Sequence, residues 1–246
     1  MNLYKDFARV LALVFVFGTF PVSADDHLDV KNLEGFYVGV DAVYSHADVK
    51  NDETEGVGTL YSDNSKSNVP DNELVKSKRS RCHIDPSVNI GYSHFFNNWY
   101  VGLAGDVSFG KNNKSFVITD PADDEGYESK ISGVSYTLKA KGGYYFRGLN
   151  SVVYGIAGVK WREVSYRRYS DREFFSKAKL KTPSFLLGLG FERPICKKLS
   201  LSAEYEYSWR NSSDDSLWKN EYGVVDFNVR QRLREHSLKI GVKYHI

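Results

Sequence analysis

The 246-residue sequence has no apolar run of the ~20 residues that a helix needs to cross about 30 Å of hydrocarbon. Its longest, from Val10 to Phe17, ends before Pro21, which excludes insertion by helices. Charge of one sign is also missing: 33 Lys and Arg stand against 31 Asp and Glu, a net charge of +2, so nothing points to nucleic acid as a partner. Cysteine is scarce, with only Cys82 and Cys196. Lys5 and Arg9 ahead of the apolar run, and Val22-Ser23-Ala24 behind it, have the form of a secretory signal over residues 1–24. The chain is therefore expected in an oxidising space, where two cysteines would ordinarily pair.

What is abundant is alternation. From Ser237 the chain reads Leu238, Ile240, Val242, Tyr244 and Ile246 on one face, with Lys239, Gly241, Lys243 and His245 on the other. That is the period of a β-strand. Leu199 to Arg210 does the same, placing Leu199, Leu201, Ala203, Tyr205, Tyr207 and Trp209 opposite Ser200, Ser202, Glu204, Glu206, Ser208 and Arg210. A soluble sandwich would turn the charged face to water, whereas a membrane barrel turns it inward. Six further segments follow the pattern: Gly35 to Ala47, His83 to Phe96, Trp99 to Gly110, Gly133 to Phe146, Val152 to Tyr166 and Pro183 to Glu192. The fifth of the eight is ambiguous, because Tyr154 and Ile156 favour one parity and Val159 and Trp161 the other. A bulge near Gly158 would reconcile them.

Connections alternate between short and long. Asn97-Asn98, Arg147 to Asn150 and Arg193 to Lys198 read as tight turns, whereas Val49 to Arg81, Lys111 to Lys130, Arg167 to Lys181 and Asn211 to Phe227 read as long loops gathered at one end. Transmembrane barrels have short periplasmic turns and long external loops, so both termini are expected in the periplasm. The expected organisation is all-β: an eight-stranded antiparallel transmembrane β-barrel over 35–246, preceded by a short periplasmic segment, 25–34, with ten strands left open as an alternative. A mean hydropathy of −0.43 is compatible, because only alternate strand residues meet lipid. Aromatics make up 15%, including 17 Tyr, as interfacial girdles require. The inner girdle is expected from Phe36, Phe96, Trp99, Tyr144, Phe146, Tyr154, Phe191 and Tyr244, and Tyr44, Phe109 and Trp209 lie nearer the outer boundary.

Gly35-Phe36-Tyr37-Val38-Gly39, Asn89-Ile90-Gly91-Tyr92, Trp99-Tyr100-Val101-Gly102, Gly142-Gly143-Tyr144-Tyr145 and the closing strand together resemble the small OmpA-like and opacity-protein-like outer-membrane barrels, the porin-like surface antigens. The resemblance implies a bacterial outer-membrane protein. It also implies that Lys239, Gly241, Tyr244 and Ile246 form the C-terminal signal read by the barrel assembly machinery, although the family usually ends in Phe. It specifies activity poorly, since one such barrel carries adhesins, structural proteins and enzymes.

Candidate sites follow from parity. Asp41, Asp106, Lys139, Lys141, Glu204, Glu206, Arg210, Lys239 and Lys243 would share one interior. Eight staves leave room for side chains alone, so an ion-pair network is favoured over a narrow porin-like channel. The pairs Ser45-His46, Ser93-His94 and His236-Ser237 do not suit catalysis, because neighbours on a strand point to opposite faces. A lipid A-modifying enzyme is the lesser alternative. Asp120, Asp123, Asp124 and Glu125 match no dedicated calcium loop, and no cofactor or metal is expected. Lys76, Lys78, Arg79, Arg81, Arg167 and Arg168 would sit at the outer end, where they could meet lipopolysaccharide phosphates or a host surface molecule. Cys82 at the outer end and Cys196 at the inner end are too far apart to bridge, leaving free thiols or an intermolecular bond through Cys82. The function expected is adhesion, host interaction or envelope integrity, without catalysis.

Overall fold

The computed structural model describes residues 33–55, 59–60, 76–110, 114–119, 126–170, 173–180, 183–220 and 223–246. The described residues form eleven strands: β1 Gly35–Glu55, β2 Thr59–Leu60, β3 Lys76–Phe96, β4 Trp99–Phe109, β5 Lys114–Thr119, β6 Gly126–Phe146, β7 Ser151–Ser170, β8 Glu173–Leu180, β9 Ser184–Cys196, β10 Leu199–Asn220 and β11 Gly223–His245. Antiparallel pairing runs β1, β3, β4, β6, β7, β9, β10, β11 and returns to β1. β5 takes over from β4 along the far end of β6, β8 precedes β9 along β7, and β2 adds two residues to the end of β11. The barrel therefore has eight staves, not ten. Its closing contact is the one that the last strand demands: Tyr37 lies opposite His245, Val40 opposite Val242 and Tyr44 opposite Leu238.

Alternation decides which face each residue takes. Phe36, Ile84, Leu103 and Phe185 are all more than 60% exposed on the protein surface, within an apolar band that continues around the staves. A water-soluble monomer rarely exposes so much contiguous apolar surface, whereas lipid covers it at no cost. The girdle at the short-turn end includes Trp99 packed edge-on against Tyr144, and Tyr144 against Phe146. Two expected members differ. Phe191 keeps outward parity but is largely covered, and Tyr154 points inward and is 1% exposed. Tyr154 turns inward because β7 runs without a bulge at Gly158: Val152, Tyr154, Ile156, Lys160 and Arg162 are inward, and Val153, Ala157 and Trp161 face out. The register shift on this pair lies on β6, between Ile131 and Ser135.

The short-turn end has tight connections. Asn97, at φ 59°, and Asn150, at φ 45°, take the left-handed conformation that Asn tolerates. The third turn is only Lys197-Lys198, because β9 extends to Cys196 and absorbs an extra residue in a bulge opposite Leu199 and Ser200.

At the opposite end, the segments expected to be long loops are largely strand. β1 and β3 pair as far as Asp52 and Lys76, β6 and β7 as far as Gly126 and Tyr169, and β10 and β11 as far as Asn220 and Gly223. A 21-residue strand such as β1 is about 70 Å long at ~3.3 Å per residue, and tilted by roughly 40° it rises about 50 Å. The apolar band of such barrels is about 25 Å tall, so roughly half of each long stave projects beyond it. Above the band the wall divides. Among the described residues, Lys76 to Pro86 of β3 pair with β1 alone, β5 pairs with β6 alone, and Arg210 to Asn220 of β10 pair with β11 alone. Two ribbons result, β10–β11–β1–β3 and β5–β6–β7–β8.

Candidate functional site

The interior is built from inward positions of all eight staves. Lys139 and Lys141 on β6, Asp106 on β4, Glu204 and Glu206 on β10, and Lys239 and Lys243 on β11 meet at mid-barrel. Lys139 Nζ lies 2.8 Å from Asp106, 2.5 Å from Glu204 and 3.0 Å from Glu206. Lys239 Nζ contacts Asp106 at 2.6 Å and Glu206 at 2.9 Å, and Lys141 Nζ contacts Glu204 at 2.6 Å. Each ammonium group thus donates to at least one carboxylate, the condition under which buried charge is tolerable. Asp41 accepts from Asn89 at 2.6 Å, and Arg210 is buried with its guanidinium directed at the Arg162 carbonyl oxygen. All nine charged residues assigned to the interior by parity therefore occupy one lumen.

Further members were not read from sequence. Glu192 on β9 takes Lys243 at 2.5 Å, the Ser200 hydroxyl at 2.7 Å and His245 at 3.3 Å. Nearer the projecting end, Glu235 takes Lys160 at 3.0 Å and Arg162 at 3.2 Å, and Arg162 also donates to Ser135. Lys160 and Arg162 were hidden by the ambiguous parity of their strand. Continuing the alternation of β11 back from Ser237 would have found Glu235.

Buried inward tyrosines, Tyr37, Tyr100 and Tyr154, complete the lumen. Tyr154 donates to Glu204 at 2.7 Å, the ammonium of Lys141 stands 5.1 Å from the Tyr154 ring, and that of Lys243 stands 5.1 Å from the Tyr37 ring. Their bulk is accommodated by glycine: a β-carbon at Gly91 would overlap the Tyr37 ring, and one at Gly190 would overlap Tyr154. Tyr100, Val152, Tyr154, Ile156 and Leu186 close the short-turn end around Leu33, whose carbonyl oxygen accepts from Ser93 and which is only 2% exposed. Glu34 pairs with His94 beside it. Of the short segment expected over 25–34, the described part is Leu33-Glu34, which lies at the short-turn mouth of the barrel with Leu33 buried there.

The basic residues divide between the two ribbons: Lys76, Lys78, Arg79 and Arg81 are strand residues of β3, and Arg167 and Arg168 are strand residues of β7. They are not in loops, and their side chains lie outside the described residues, as do residues 120–125 and the signal segment. Cys82 and Cys196 are free and exposed, Cys196 next to a short turn and Cys82 near the far edge of the apolar band.

A closed antiparallel barrel with an apolar outside and a charged, tyrosine-lined inside defines a transmembrane outer-membrane barrel. The sequence profile described as outer membrane protein beta-barrel domain matches residues 10–245, and the chain belongs to that family. No curated protein matches it. Among solved structures, the outer membrane protease OmpT from Escherichia coli is similar at 10% identity and a TM-score of 0.51, over 86% of this chain and 97% of OmpT. Neisserial surface protein A is similar at 15% identity and a TM-score of 0.42, over 87% and 98%. Ail, the attachment invasion locus protein of Yersinia pestis, solved with the heparin analogue sucrose octasulfate, is similar at 15% and 0.40, over 86% and 99%. These likenesses concern the fold alone.

Proposed function

We propose that this protein is a surface-contact barrel of the bacterial outer membrane, with its short turns and both termini in the periplasm and its projecting ribbons outside the cell. The observation that carries this reading is the combination of a lumen filled by paired charges with staves that stay paired well above the apolar band. A filled lumen gives the barrel little to transport. Staves that rise about 25 Å above the lipid hold a contact surface away from the membrane on a stiff base.

The basic strand extensions are the part best suited to contact. Lys76, Lys78, Arg79 and Arg81 lie on β3, the edge strand of one ribbon, and Arg167 and Arg168 lie on β7, between β6 and β8 of the other. That composition favours a sulfated or phosphorylated polysaccharide, either from a host surface or from lipopolysaccharide. Lys239, Gly241, Tyr244 and Ile246 serve as the signal for the barrel assembly machinery. Cells displaying the full chain are expected to bind immobilised heparin in a salt-dependent way. Replacing Lys76, Lys78, Arg79 and Arg81 together by Ser should weaken retention at least tenfold with surface display unchanged. Equal retention by the two would overturn the assignment of contact to the basic extension of β3.

A further inference from the structure

At the upper edge of the apolar band, register places together residues that are far apart in sequence. On the outward face, Cys82 of β3 is directly opposite His46 of β1, and His46 is opposite His236 of β11. The Cys82 sulfur lies 3.1 Å from His46 Nδ1. Asp48, two residues along the same strand and therefore on the same face, has its Oδ1 3.5 Å from His46 Nε2, a nitrogen with no hydrogen-bond partner among the described residues. The tautomer that lets Nδ1 accept from the thiol puts the Nε2 proton towards Asp48. The arrangement is thus nucleophile, base and orienting carboxylate, the working order of an activated thiol. Below it the face is apolar, with Ile84 and Tyr44. Above it, Arg234 lies opposite Asp48 and Arg232 opposite Lys50, so cationic side chains follow one and two rows away, about 7 and 13 Å.

We propose that Cys82, His46 and Asp48 form a thiol acyl-transfer site for ester-linked acyl chains of anionic membrane lipids. The apolar face receives the chain, and the cationic rows receive the phosphate. As Cys82 Sγ bonds to the ester carbonyl carbon, its proton passes to His46. The carbon–oxygen bond of the ester then breaks, and His46 returns the proton to the departing alkoxide. The products are a lipid with one free hydroxyl and an S-acyl Cys82. Water, deprotonated by His46, then attacks the thioester, releasing the fatty acid and restoring the thiol. Asp48 acts as a positioning residue. The site goes beyond the surface-contact role and is independent of the basic strand extensions.

The test uses the purified full chain, folded by the criterion of heat-modifiable migration, and incubated with vesicles of phosphatidylglycerol or, separately, with vesicles containing phosphorylated lipid A. Mass spectrometry follows both protein and lipid. The expected result is a lysophospholipid in the first arm or under-acylated lipid A in the second. A hydroxylamine-sensitive acyl adduct on Cys82 accompanies it where transfer outpaces hydrolysis. Cys82→Ala should abolish product and His46→Gln should lower the rate at least ~100-fold. Asp48→Asn should displace the pH profile, which a merely structural carboxylate would not do. Absence of product and adduct in both arms, or undiminished product from Cys82→Ala, overturns the proposal.

Discussion

Glu204 is the acceptor on which the mid-barrel network depends most. It takes Lys139 at 2.5 Å, Lys141 at 2.6 Å and the Tyr154 hydroxyl at 2.7 Å, with Lys243 at 3.7 Å. Glu204→Gln keeps the shape but removes the charge. Lys139 retains Asp106 and Glu206, and Lys243 retains Glu192, whereas Lys141 is left with the Tyr37 hydroxyl at 3.3 Å and, among the described residues, no other carboxylate within 4 Å. Removing one partner of a buried pair costs about 3–5 kcal/mol. The remaining hydrogen bonds place this variant near the lower figure, about 3 kcal/mol, roughly a hundredfold in the folding equilibrium. The assay is urea unfolding from lipid vesicles, followed by tryptophan fluorescence and gel migration. The decisive comparison is Glu204→Gln with Lys141→Met. If Lys141 is the stranded charge, the double variant recovers about 1–3 kcal/mol relative to the sum of the singles. A single-variant cost under about 1 kcal/mol, or strict additivity, would refute the account of the network.

Gly190→Val should destabilise by about 1–3 kcal/mol through collision with Tyr154, and Tyr154→Ala in the same chain should relieve part of that cost; vesicle unfolding is the check. Leu138→Arg, on the outward face and 54% exposed, should cost about 2–4 kcal/mol if it lies near the bilayer midplane, whereas the same change at a water-facing position would be close to neutral. Leu33→Ala should cost about 2–5 kcal/mol, because Leu33 is enclosed at the mouth by Tyr100, Val152 and Leu186, and an unchanged unfolding midpoint would show the mouth to be filled otherwise. In planar bilayers the wild type should show no conductance steps, and combined Lys139→Ala, Glu204→Ala and Glu206→Ala should introduce them; steps from the wild type would restore the channel reading.

Period-two alternation was enough to separate lipid-facing from lumen-facing residues on seven staves, because parity is a local property of an extended chain. The closing pair of strands could also be named in advance, since a barrel must join its first stave to its last. Alternation failed at β7, where Tyr154 and Ile156 are apolar enough to face lipid yet occupy the lumen. Their placement depends on Gly190 opposite and on Glu204 across the barrel, and neither is a neighbour in sequence. The strand extensions were also illegible. Polar stretches such as Asn211 to Asn220 read as loops until their pairing partner, Gly223 to Arg232, is supplied.

Composition and spacing thus determined the compartment, the eight staves and the sign of the face for most residues, because each depends on residues one or two positions apart. Only the tertiary structure decided who meets whom across the sheet. Register is a relation between strands, and a slip of one residue would exchange every lipid-facing side chain for a lumenal one. That relation joins Lys139 to Glu204 in the lumen and Cys82 to His46 on the outer face.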